Sequence, residues 1–117
     1  VLLPELPLRQ IAERLVRAMI ELHARDRALH RVLFEEAPLP PRVRRRLDAV
    51  EEQIAATMAA FLRQHPEVRV SDPDLAARVV VQVIEGLTHK LVVHGRPEES
   101  EAQAREFVRL ATRYLSA

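Results

Sequence analysis

A chain of 117 residues has the length of one domain, and its lack of cysteine excludes disulfide bonds and thiolate metal sites. Its 18 basic and 17 acidic residues leave a net charge of +1, and this charge is too small to attract nucleic acid by itself. There is no signal-like segment and no apolar run of the ~20 residues that a membrane span needs. We therefore expect residues 1–117 to form a single cytoplasmic domain without membrane contact.

The first three helices are predicted from apolar residues at helical spacing, and nothing alternates with the two-residue period of a strand. The first helix is expected over residues 7–24. Asp26 is a candidate N-cap for a shorter second helix over residues 27–37. A proline cluster then ends that helix, and Pro41 suits the first turn of a third helix over residues 42–64.

The last two helices are apolar on more than one face. Asp72 followed by Pro73 is the strongest helix-start signal of the chain. Apolar residues over 75–93 then sweep roughly 260° of the helix circumference, against ~100° for a one-sided surface helix. Gly95 is expected to end this fourth helix in a left-handed turn, and Pro97 to begin a fifth helix with two apolar faces. The sequence thus predicts an all-α, five-helix bundle in which a second subunit covers the last two helices.

Gly86 lies in the middle of the predicted fourth helix, where glycine costs ~1 kcal/mol relative to alanine. A glycine retained at such a position indicates that another helix crosses close to it.

The histidines do not predict a metal site by their spacing. His23 and His30 lie on opposite sides of the helix break at Asp26, and His89 and His94 are five residues apart. On one α-helix, metal ligands need spacings of three or four to share a face, so the last two are expected to point different ways. We therefore expect no bound metal and no cofactor.

Catalytic residues are equally hard to assemble. The serines and threonines lie mostly at helix caps and ends, with no glycine-rich elbow or phosphate loop. Glu35 and Glu36 are adjacent and diverge by about 100° on a helix, so they do not form an acid–base pair by themselves. An enzyme is the least favoured interpretation.

A polar stripe on the fourth helix either faces water or lines a cavity between the first, third and fourth helices. The stripe consists of Arg78, Gln82, Glu85 and His89. In the cavity interpretation, methionine and aromatic side chains supply an adaptable apolar wall. The ligand-binding residues predicted in this way are Leu15, Met19, Leu22, Phe34, Met58, Phe61, Gln82, Glu85 and His89.

Three stretches of the chain together resemble the C-terminal domain of TetR-family transcriptional regulators. They are Asp-Arg-Ala-Leu-His-Arg-Val-Leu-Phe-Glu-Glu-Ala-Pro at 26–38, Leu-Ala-Ala-Arg-Val-Val-Val at 75–81 leading into Glu-Gly-Leu-Thr-His at 85–89, and a closing helix that ends Arg-Tyr-Leu at 113–115. The resemblance covers essentially the whole chain, as a pattern of helices more than a signature.

The resemblance implies a function and a dimer. In that family a small effector binds the helical domain, which dimerises through its last two long helices. An N-terminal helix-turn-helix domain, which is not part of this chain, reads the operator. The chain is accordingly expected to be the ligand-sensing and dimerisation domain of a repressor, to bind a small and mainly hydrophobic effector, and to contact DNA only through that other domain. The predicted homodimer interface consists of Val83, Leu87, Leu91, Phe107, Leu110 and Tyr114.

The alternative is a helical protein–protein interaction module that binds no small molecule. A cavity of ~300 Å³ or more between the first, third and fourth helices favours the sensing domain, whereas a filled interior favours the interaction module.

Overall fold

The computed structural model describes residues 5–35 and 38–117, and within these ranges every regular element is a helix and there is no strand. This confirms the all-α fold class. The elements in chain order are α1 (Leu8–Arg25), α2 (Arg27–Glu35), α3 (Pro41–Gln64), α4 (Pro73–His89), a π-helical turn (Lys90–His94, called the π turn below) and α5 (Pro97–Ser116). The last two residues of the predicted second helix, 36 and 37, lie outside the described residues.

Proline and aspartate set the helix starts, as the sequence predicts. Proline begins α3, α4 and α5, where its missing N–H group would have no partner in the helix. The Asp72 carboxylate accepts a hydrogen bond from the Leu75 N–H at 3.1 Å and so caps α4. At the break before α2, the Asp26 carboxylate accepts from the Leu29 N–H at 2.9 Å, which confirms the predicted cap.

The core lies where α1 packs against α4 and α5 while α3 runs along α4. The buried apolar side chains of the main cluster are Leu8, Ile11, Ala12 and Val16 of α1, Met58, Ala59, Phe61 and Leu62 of α3, Ala76, Ala77, Val80, Val81 and Ile84 of α4, and Ala104, Phe107, Val108, Ala111 and Leu115 of α5. None of the described helices is both long and apolar enough to cross a membrane.

The first half of α3 extends beyond this core. Its apolar residues Val43, Val50 and Ile54 are exposed, although their spacing matches that of the buried residues further along the helix. Only the second half, from Met58 onward, contributes to the core. Helical periodicity therefore identifies the apolar face of α3 correctly but not how much of it is covered.

Gly95 ends the helical segment as expected but not in the expected conformation, and the described residues do not make the close crossing expected at Gly86. Gly95 has φ −87° and ψ 172°, an extended conformation and not the left-handed turn expected. The position needs glycine for space, because a Cβ atom there would lie 2.6 Å from the Leu91 carbonyl oxygen. At Gly86, a Cβ atom would meet no described atom of another element within 4 Å, so none of the described helices of this chain crosses close to it.

The loop between α3 and α4 binds both ends of the described chain. The buried His65 accepts a hydrogen bond from the Glu67 N–H at Nδ1 (3.1 Å), which assigns the proton to Nε2, and Nε2 donates to the Leu6 carbonyl (2.8 Å). The Glu67 carboxylate in turn accepts from the Leu8 N–H at 3.0 Å. Further along the loop, the Arg69 N–H donates to the Leu115 carbonyl at 2.8 Å.

Candidate functional site

The predicted effector cavity is nearly filled. Leu15, Met58 and Phe61 do line one apolar cavity with core residues of α1, α3, α4 and α5, but its volume is about 20 Å³. Ligand pockets usually have volumes of about 300–1,000 Å³. In this conformation the cavity that these described residues line therefore has no room for a small-molecule effector.

The other predicted ligand-binding residues whose side chains the structure describes do not line this cavity. Met19 is partly buried against the core, while Leu22 is half exposed on the outside of α1. Phe34 belongs to α2, and its side chain lies outside the described part of the structure.

Most of the polar stripe of α4 faces α3, whereas its last member, His89, lies near α2 and the π turn. Arg78 donates two hydrogen bonds to the Glu52 carboxylate of α3, at 3.0 and 3.3 Å. Gln82 and Glu85 line a groove of about 60 Å³ on the same side, facing α3. Burial raises the pKa of the Glu85 carboxyl group above its ordinary value, and the negative charge of Glu51 raises it further. This part of the stripe faces the acidic edge of α3 and not an apolar cavity.

A roomier cavity, of about 400 Å³, lies beside α1 and α5. It is lined by Arg9, Arg105, Glu106, Val108, Arg109, Thr112 and Arg113. Four guanidinium groups give it a cationic character, which differs from the mainly apolar site expected from the sequence.

The predicted interface residues fall into two groups. The side chains of Val83, Leu110 and Tyr114 are exposed, and Leu87 is partly buried against the core. Leu91 and Phe107 are each only 4% exposed because they pack inside the single chain. These two have almost no surface left to offer a partner and are better described as core residues.

The last member of the stripe, His89, meets Glu35 and His94 at the junction of α2 and the π turn. A single carboxylate oxygen, Oε2 of Glu35, lies 2.6 Å from Nε2 of His89 and 2.5 Å from Nε2 of His94. The hydrogen bond with His94 is the main cause that lowers the pKa of Glu35, and His89 adds to it. One potential ligand atom from each residue lies within 4.8 Å of the other two, so these three residues are able to hold a metal ion.

The π turn explains why this convergence was not predicted. In an α-helix, residues five apart point about 140° away from each other. In a π-helical turn the backbone hydrogen bonds run from residue i to i+5, so such residues lie one above the other. His89 immediately precedes this turn, His94 is its last residue, and both reach the same carboxylate oxygen. The expectation that they point different ways is wrong for this reason.

A second histidine pair adjoins the first. The rings of His23 and His30 stack with centroids 4.2 Å apart, because the break at Asp26 folds α2 back toward α1. Nδ1 of His23 lies 2.9 Å from the Met19 carbonyl and so donates the hydrogen bond. Burial lowers the pKa of His23, with smaller contributions from the charges of His30 and His89.

Sequence reasoning missed Glu35 and His94 as partners of His89, and the electrostatic interaction between His23 and His89. The available signal was where the histidines lie in the chain. Four of the five lie near the break between α1 and α2 or near the end of α4 and the π turn. Spacing within ideal α-helices was the wrong test, since one pair spans a helix break and the other spans a π turn.

The comparisons with known proteins agree with the helical architecture. A family model described as the Tetracyclin repressor-like C-terminal domain matches residues 7–115, which is nearly the full chain. No curated protein and no solved structure matched the sequence. On the strength of that match over all five α-helices, the chain belongs to the Tetracyclin repressor-like C-terminal domain family.

Proposed function

We propose that this chain is the regulatory and dimerisation domain of a TetR-family transcriptional regulator, a non-enzymatic protein that acts as a cytoplasmic repressor. Its family membership supports the general role. In this proposal the domain forms a homodimer, binds a small apolar effector, and thereby changes operator binding by a helix-turn-helix domain.

The observation that carries the proposal is the unburied apolar surface of α4 and α5. Leu75, Val79 and Val83 follow one another four residues apart on α4, and all three are exposed. On α5, Leu110 is 56% exposed and Tyr114 is 42% exposed, again four residues apart. Exposed apolar stripes on two helices favour association, and a two-fold partner would cover both at once.

Gly86 fits the same interface. At 100° per residue it lies on the α4 stripe, close in direction to Val79 and Val83, and no described side chain covers it. The close crossing that the sequence indicates at this glycine is then made by the partner subunit's helix.

Effector binding requires the apolar interior to widen. The cavity lined by Leu15, Met58 and Phe61 is a small apolar space in the core, and methionine adapts readily to a new shape. A ligand that binds the widened form better shifts the dimer toward it, with typical coupling free energies of about 1–3 kcal/mol.

A second candidate function is a helical interaction module without a small-molecule ligand. The nearly filled interior favours it, since the cavity volume is about 20 Å³. Both candidates require the α4 and α5 surface to bind another protein chain, and they differ in whether apolar small molecules stabilise the domain.

The dimer is tested by replacing Leu110 with glutamate. A charge placed in an apolar interface is costly to bury, so L110E is expected to sediment as a monomer while the unchanged protein sediments at twice that mass. Gln10→Glu, which adds the same charge at an exposed position of α1, should leave the dimer intact. Circular dichroism checks that both variants remain helical. A dimer of unchanged stability in L110E contradicts the proposed interface.

A further inference from the structure

We infer that Glu35, His89 and His94 form a binding site for one divalent transition-metal ion of the zinc class. This inference is independent of the proposed dimer and effector. It rests on the convergence of three ligand atoms, on the unusual backbone that produces it, and on the chemistry of the ligand set.

The three side chains converge more closely than an ordinary ion pair requires. Both imidazole Nε2 atoms approach the same oxygen of Glu35, at 2.6 and 2.5 Å, although that carboxylate has a second oxygen to offer. In a tetrahedral zinc site with bonds of about 2.1 Å, neighbouring ligand atoms lie about 3.4 Å apart. The present separations differ from that value by about 1 Å, which small rotations of the exposed glutamate accommodate.

The backbone that brings the two histidines together is itself uncommon. π-helical turns are rare and are found frequently at functional sites. Here the turn, Lys90–His94, follows directly after His89 and ends with His94. Without it, the α-helical continuation of α4 would direct the two imidazoles away from each other.

The ligand set fits a borderline-soft divalent ion. Two imidazoles and one carboxylate occur together in zinc sites that keep a fourth position open for water or another ligand. The side chain of His89 is 15% exposed, that of Glu35 is 33% exposed and that of His94 is 45% exposed, so an ion can enter from solvent.

A neighbouring histidine, His23, has a tautomer suited to metal binding, with the proton on Nδ1 and a lone pair on Nε2. His23 is buried, and its Nδ1 donates to the Met19 carbonyl, which leaves Nε2 as a lone-pair acceptor. That Nε2 is buried without a hydrogen-bond partner among the described residues. His23 lies within electrostatic range of His89, so it adds a further neutral imidazole beside the proposed site.

The bound ion would attach α2 to the rest of the domain. None of the described side chains of α2 is buried, and Leu29 and Val32 are exposed. The metal would link Glu35, at the end of this helix, to His89 before the π turn and His94 at its end.

The inference is tested on the full chain, stripped of metal with a chelator and titrated with Zn²⁺ alone by calorimetry near neutral pH. We expect one Zn²⁺ per chain and a thermal unfolding midpoint that rises with Zn²⁺ concentration. Titration with Co²⁺ should produce visible absorption bands of a protein-bound ion.

Three variants identify the ligands: Glu35→Gln, His89→Gln and His94→Gln. Each should weaken Zn²⁺ binding by at least about 100-fold, since changes beyond the direct ligands already cost 10–100-fold. The matched control is Glu98→Gln, which removes an exposed carboxylate at the start of α5.

Two results would overturn the inference. One is the absence of stoichiometric Zn²⁺ binding by the unchanged protein, which would leave the cluster as an ion pair. The other is equal Zn²⁺ affinity in E35Q and in the unchanged protein. Glu35 is partly exposed, so this variant is expected to keep its fold, and circular dichroism provides the check.

Discussion

Glu85 is a carboxylate held in an environment that disfavours its charge. Burial at the groove facing α3 raises its pKa, and the nearby charge of Glu51 acts in the same direction. The charged form therefore costs stability at neutral pH. As the pH falls through the raised pKa, the folded state takes up a proton before the unfolded state does, and this cost is relieved.

Replacing Glu85 with glutamine should therefore raise the thermal unfolding midpoint at pH 7. The difference between E85Q and the unchanged protein should shrink as the pH falls through the raised pKa of Glu85 and below the ordinary carboxyl pKa of 4.5, because Glu85 then becomes neutral in the folded and the unfolded state. Thermal unfolding followed by circular dichroism from pH 7 to pH 4 measures this. Glu51→Gln should give a smaller gain of the same sign. If the difference in unfolding midpoint between E85Q and the unchanged protein grows as the pH falls, the charge of Glu85 is not the cause of its instability.

At the residue scale, the sequence predicts apolar faces better than it predicts what covers them. Leu91 and Phe107 were expected at a dimer interface, yet both are buried within the chain. Leu110 and Tyr114 were predicted at the same interface from the same apolar pattern, and both are exposed. All four belong to helices with two apolar faces, and periodicity alone does not tell which face meets the chain's own core and which remains free.

Among the elements, the π turn depends on the glycine that follows it. The chain leaves it at Gly95, whose backbone packs directly against the carbonyl group of Leu91. The Gly95 N–H donates to that same carbonyl at 3.2 Å. Glycine is needed here because any larger residue would force the backbone of the turn to move.

Gly95→Ala is expected to lower the free energy of unfolding by about 1–3 kcal/mol, the usual cost of forcing extra volume into a packed site. Urea denaturation measures the loss. Arg96→Ala is the matched control, since that residue is exposed and its extended backbone accepts alanine. Equal stability of the two variants would show that the turn relaxes without cost. If the turn opens, G95A should also bind Zn²⁺ more weakly.

Helix boundaries were predictable to within a few residues because proline and aspartate act locally. The starts at Pro41, Pro73 and Pro97 follow from the chemistry of the first helical turn. The π turn was not predictable in this way. No local residue pattern distinguishes it from a continued α-helix, and the histidine cluster depends on it. The fold class therefore follows from sequence, whereas the site does not.

For the whole molecule, the proposed dimer gives Gly86 a role that a single chain does not require. Glycine in a helix costs up to ~1 kcal/mol relative to alanine, and a Cβ atom would fit here within one chain. A monomeric domain would thus gain stability from Gly86→Ala. If the partner subunit's helix crosses at this point, the added methyl group separates the two helices.

We therefore expect G86A to weaken dimerisation by about tenfold or more, which corresponds to ~1.4 kcal/mol, while leaving the helical content unchanged. Sedimentation equilibrium over a range of protein concentrations measures the dissociation constant. In the monomeric L110E background, the same substitution should instead raise thermal stability. A tighter dimer in G86A would place the crossing elsewhere.

The two ends of the described chain converge on residues 65–69 of the loop between α3 and α4. Leu6 is bound there through His65, and Leu115 is bound through Arg69. A force that pulls Leu6 and Leu115 apart would therefore be transmitted through this short loop and its hydrogen bonds.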